Sequence, residues 1–118
     1  VRQLTAGEMF SIAERCGDAT TANGRPAVSR PTLFVSHAQA CGFVKLLDAV
    51  DAYIDLHRVD RARTYLWIDV FCIRQHEVAN DVRHIGAVER EIGKVVAVLD
   101  PWHDPVCLTR VWCLYEVV

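Results

Sequence analysis

The chain has no cysteine pair at C-x-x-C spacing, no glycine-rich phosphate loop, no long apolar run and no concentration of positive charge. Each absence removes a class of function. The cysteines are Cys16, Cys41, Cys72, Cys107 and Cys113, an odd set without zinc-knuckle or redox-pair spacing. That argues against a disulfide framework and against a structural zinc site. Cys72 and Cys113 fall inside apolar runs, where a thiol behaves as a small hydrophobe. A reduced, buried set in a cytosolic protein is therefore expected. Without a run of roughly 20 apolar residues no membrane-spanning helix is expected. Residues 1–10 carry charge and lack the apolar core of a secretory signal. The formal net charge is -2, and Arg58, Arg61, Arg63, Arg74, Arg83 and Arg90 are scattered rather than striped. Such a chain offers no field to attract nucleic acid or an anionic membrane, and neither is expected as a partner.

What is present is a globular composition. The 118 residues suffice for one domain, and 52% hydrophobic with 24% charged content can build a real core. Val1 is not a start methionine, so an excised segment is expected, with any upstream signal out of view.

Residues 1–31 read differently from the rest. Thr5-Ala6-Gly7-Glu8 fits a capping box, Leu4, Phe10 and Ile12 give a short helix one apolar side, and Gly17 would end it. Asn23-Gly24, Pro26 and Pro31 mark residues 18–31 as a loop or tether. From Thr32 the pattern sharpens. Thr32-Leu33-Phe34-Val35-Ser36 predicts a strand buried on both faces. Phe43, Leu46, Leu47, Val50 and Ile54 form one helical stripe, with Lys45, Asp48, Asp51 and Asp55 on the wet side. Residues 65–71, rich in aromatic and β-branched side chains, predict a second strand. Asn80 or Asp81 would cap a second helix with the stripe Ile85, Val88 and Ile92, stopped by Gly93. Residues 94–99 predict a third strand, broken by Asp100-Pro101-Trp102, and Thr109 would cap a third helix. The order β-α-β-α-β-α predicts a doubly wound, flavodoxin-like α/β fold with a parallel sheet between two helical layers. We expect it to be truncated after the third strand and the start of the third helix. The expected organisation is a short helix and tether over residues 1–31 and an incomplete domain over residues 32–118.

In such sheets ligands bind beyond the carboxyl ends of the strands, where strand order reverses. With the first strand central, Ser36, His37 and Ala38 meet Asp100, Pro101 and Trp102 on that rim. Glu116 follows Thr109 by seven residues, about 10 Å along a helix at 1.5 Å per residue. On the residues alone, a solvated glutamate is the simpler reading. The histidines (His37, His57, His76, His84, His103) are spread out, and no metal site is expected. Asp100-Pro101 faintly resembles a phosphoacceptor, but Ser36-His37 stand where that site needs an acidic pair.

Two segments carry a family resemblance. Leu33-Phe34-Val35-Ser36-His37-Ala38 resembles the first-strand box of Toll/interleukin-1 receptor (TIR) domains. Thr109-Arg110-Val111-Trp112-Cys113-Leu114-Tyr115-Glu116 is similar to their S-x-x-W-C-x-x-E segment, and the intervening pieces fall in order over residues 32–118. The resemblance implies cleavage of NAD, as substrate rather than cofactor, at the nicotinamide–ribose bond in cytoplasmic signalling or innate-immune defence. It gives Glu116 the catalytic role and puts Ser36, His37, Ala38, Trp102 and Trp112 near the nucleotide. The alternative it implies is a non-catalytic module that binds itself or other TIR-like domains. Two features depart from the family: Gln39-Ala40-Cys41-Gly42 lacks acidic residues, and Cys72-Ile73-Arg74-Gln75-His76 replaces a glycine-bearing loop.

Overall fold

The computed structural model describes residues 10–38, 40–74 and 76–109. Its centre is strand β1 (Leu33–Ser36), buried along its whole length. Strands β2 (Leu66–Trp67) and β3 (Val95–Ala97) flank it in the order β2-β1-β3. Both pairings are parallel, with Leu33 opposite Leu66 and Val35 opposite Val96. Beyond the third strand, the Val98 N–H donates to the Ser36 carbonyl at 2.8 Å. Central placement of the first strand, on which the expected position of a site rested, is observed.

Helix α2 (Phe43–Leu56) covers one face. It buries Leu46, Val50 and Ile54, one residue per turn, against Val35, Ile68 and Val98. The stripe is narrower than the sequence implies. Phe43 and Leu47 sit on its flank, 49% and 38% exposed, although Phe43 meets Phe71 edge-on at 5.6 Å. Because side chains alternate along a strand, Phe34 faces the other way. There it joins Trp67, Ile73 and Ile85, with Val88 and Ile92 of helix α5 (Ile85–Ile92) packed alongside. Helices thus cover both faces, as in doubly wound folds. Gly93 ends α5 as predicted, in the left-handed region at φ 70°, donating its N–H to the Glu89 carbonyl at 2.8 Å.

Two expectations need correction. The second strand is only two residues long, not residues 65–71. Ile68 is still extended, and helix α3 (Asp69–Cys72) then begins. The cause is Asp69, whose Oδ1 accepts the Val70 N–H at 2.6 Å and favours a turn. Val70 and Phe71 pack on the α2 cluster from that turn, so tertiary contact overrides their strand propensity. The second helix is broken in two. Helix α4 (Val78–Val82) starts ahead of Asn80, and a turn at Arg83 and His84 leads into α5. Asp81 caps nothing; it binds Arg74. Separately, Ser11 and Glu14 form a capping box at the start of helix α1 (Ile12–Arg15). Thr5 to Glu8 lie outside the described residues.

The N-terminal segment lies beside β2. Tyr65 Oη donates to the Pro26 carbonyl at 2.9 Å, and Arg30 pairs with Glu91 at 2.9 Å. At the other end, a 3₁₀ turn spans Val106–Thr109, where Thr109 Oγ1 donates to the Val106 carbonyl at 2.7 Å. The third helix expected from residue 110 onward lies outside the described residues.

Candidate functional site at the carboxyl rim of the sheet

The order β2-β1-β3 places the reversal of strand order between β1 and β3. Ser36, His37 and Ala38 leave β1 at this rim. Ser36 and Ala38 are buried, at 1% and 2% exposure with the backbone included, so neither presents open surface at this rim. His37 is held on both sides. Its Nε2 lies 2.9 Å from Asp69 Oδ1, and its Nδ1 lies 3.2 Å from the Ala38 carbonyl. Both neighbours are acceptors, an arrangement that a doubly protonated imidazole satisfies fully.

Across the reversal, Lys45 in the first turn of α2 reaches Asp100, beyond β3, at 3.4 Å. This pair ties the start of α2 to the end of β3 at the rim where the site was expected. Trp102 is 82% exposed and meets only the edge of the His103 ring, at 5.7 Å, among the described aromatic contacts. Leu99, Val106 and Leu108 are also exposed, so the chain after β3 carries an unusual amount of apolar surface. Trp112 and Glu116 lie outside the described residues.

Sequence reasoning missed Asp69 as the partner of His37, having read it inside a strand. The available signal was an acidic residue directly after an apolar run, which marks a helix start as readily as a strand. Lys45 lies on the wet side of α2 as expected, 70% exposed, and from there reaches Asp100 beyond β3, a pairing the sequence did not show.

Below the rim, Arg74 and Asp81 close the chain between α3 and α4. Asp81 accepts from the Arg74 backbone N–H at 2.8 Å and from its guanidinium at 2.6 Å. The guanidinium holds the Asp81 carboxyl below its ordinary value, and the same hydrogen bonds hold the Arg74 guanidinium above its own. Burial pushes the Cys72 thiol up, which makes it less nucleophilic and fits a packing role. Cys16, Cys41 and Cys72 are thiols, half-buried rather than buried. Among the described residues, no three His, Cys, Asp or Glu side chains come together as a metal-holding group. A cavity of about 740 Å³ lies along β2 and the N-terminal segment and includes none of Ser36, His37, Ala38 or Trp102.

No protein-family model, curated protein or solved structure matches the chain. Among the described residues, no helix is long and apolar enough to cross a membrane.

Proposed function

We propose that this chain is a TIR-like domain that cleaves NAD at the nicotinamide–ribose bond in intracellular signalling or defence, with Glu116 as the catalytic carboxylate. The observation that carries the reading is the central position of β1, with Ser36 and His37 at its carboxyl end beside β3. That is the topology in which a first-strand F-V-S-H-A box and a later W-C-x-x-E segment serve one crevice. The chemistry asks little of the protein. Nicotinamide leaves a cationic ring as a neutral base, so no acid is needed to protonate it. The ribose becomes oxocarbenium-like, and a carboxylate stabilises that charge and orients the hydroxyls. Ser36, His37, Ala38, Trp102 and Trp112 would flank the nucleotide.

Incubation of the chain with NAD, following nicotinamide release, tests the reading. Glu116→Ala is expected to lower turnover by at least about 100-fold, the usual scale for losing one transition-state charge partner. Turnover that survives the substitution in a folded variant refutes the assignment.

A second reading, a non-catalytic TIR-like interaction module, is favoured by the exposed Phe43, Val44 and Trp102. Self-association without any nicotinamide release would select it.

A further inference from the structure

The outer edge of β2 is an open hydrogen-bonding edge with a groove beside it. In a parallel ladder, alternate residues bond to the neighbouring strand. Tyr65 uses its carbonyl toward β1, accepting the Leu33 N–H at 3.2 Å. Leu66 therefore turns its N–H and C=O the other way, and the N–H of Ile68, still extended, continues that edge. Among the described residues nothing pairs with these three groups. They border the cavity of about 740 Å³, whose far wall includes Ile12, Ala13, Val28 and the prolines Pro26 and Pro31. A proline has no N–H to offer, so those wall positions cannot donate across the gap to the edge.

We propose that this groove binds an extended peptide segment of a partner, added as a strand to β2, with apolar residues and at least one acidic residue. Two observations select that occupant. The unpaired main-chain groups call for another main chain in extended form. The charges lining the groove are Glu14, Arg25 and Arg61. Glu14 accepts the Ser11 N–H at 2.7 Å, and Arg61 forks between Asp51 and Asp55 at 2.7 and 2.8 Å. No carboxylate pairs with exposed Arg25 among the described residues, so Arg25 can take an acidic partner, while Glu14, met by a neutral N–H, keeps its own negative charge. Peptide binding in this groove does not require NAD cleavage.

The test uses the full chain and a terminally blocked heptapeptide of alternating valine and threonine with a glutamate at each end. Amide hydrogen exchange is read at Leu66, Trp67 and Ile68. Without peptide, Leu66 and Ile68 should exchange faster than Trp67. Peptide should slow Leu66 and Ile68 by about tenfold or more while leaving β3 unchanged. The fully N-methylated peptide should bind at least about tenfold more weakly, since it cannot donate. Arg25→Glu should weaken the glutamate-ended peptide by about fivefold and favour a lysine-ended one. Several results overturn the proposal. One is protection of Leu66 equal to that of Trp67 in the free chain; another is equal binding of the N-methylated peptide; a third is indifference to Arg25→Glu. Leu66 protection that rises with protein concentration alone, with a dimer seen by ultracentrifugation, would instead assign the edge to a second copy.

Discussion

His37 Nε2 lies 2.9 Å from Asp69 Oδ1, and this contact ties the end of the central strand to the first turn of α3. The imidazole is 7% exposed, so it has little water to replace a lost partner. The same Asp69 oxygen holds the Val70 N–H at 2.6 Å, which is what stops β2 from running on. Asp69→Asn keeps the shape and an acceptor oxygen but removes the charge. It is expected to cost about 1–2 kcal/mol, the range for a hydrogen bond to a charged group with partial compensation. Urea unfolding at neutral pH reads this directly, and an unchanged midpoint would mean that the contact contributes no stability.

Phe34 and Trp67 stack at 4.6 Å with their planes 10° apart, and Phe34 is completely buried. Phe34→Ala would leave a cavity between β1, β2 and α5 that the strands cannot close. The expected loss is about 3–5 kcal/mol, a large share of the stability of a domain this size. Equilibrium denaturation gives the number, and a loss below about 1.5 kcal/mol would show that the α5 layer collapses into the space.

Two helix ends put the same backbone demand on different residues. Helix α5 ends on Gly93 at φ 70°, whereas α2 ends in a turn that holds Arg58 at φ 50°. After α2, the Val59 N–H reaches the Ile54 carbonyl at 3.0 Å and the Arg58 N–H reaches Asp55 at 3.3 Å, the paired bonds of a Schellman turn. A left-handed residue with a Cβ costs about 1 kcal/mol there. Arg58→Gly should therefore raise stability by up to about 1 kcal/mol, and Gly93→Ala should lower it by a similar amount. Nothing but the Arg90 carbonyl, at 3.9 Å, stands near the added methyl, so the Gly93 effect is backbone strain rather than collision. Thermal unfolding of both variants tests the pair, and shifts of the same sign would contradict it.

The contrast also shows what the chain disclosed in advance. The buried first strand, the α2 stripe and the Gly93 stop were legible because each is a local pattern with one physical cause. The end of α2 was not, since no glycine advertises it. Asp69 was misread because Tyr65 to Phe71 has strand composition throughout, and only the contact with His37, distant in sequence, fixes the turn. Asp81 looked like a helix cap, yet Arg74 claims its carboxylate from across the loop. At the candidate site, Ser36, His37 and Ala38 were found from strand topology. The Lys45–Asp100 bridge depends on how α2 is rotated, which a hydrophobic stripe fixes only to within a residue or so.

Two carboxyl groups give the chain's stability opposite responses to acid. Asp81 accepts hydrogen bonds from Arg74 more strongly when ionised, so its folded value lies below the ordinary 3.8. The unfolded chain then holds that proton more tightly. The resulting stabilisation is complete above the ordinary carboxylate range and is lost as pH falls through the depressed value. Glu89 behaves the other way, because burial raises it above the ordinary 4.5. Its penalty is absent in acid and appears as pH rises through the raised value. Asp81→Asn should thus lower stability near pH 7 and flatten the acid limb below about pH 4. Glu89→Gln should gain about 0.5 kcal/mol or less near pH 7 and nothing near pH 3. Urea unfolding of each variant across that range separates them. If Asp81→Asn loses stability in acid as steeply as the parent chain, the Arg74 pairing is not what the folded state protects.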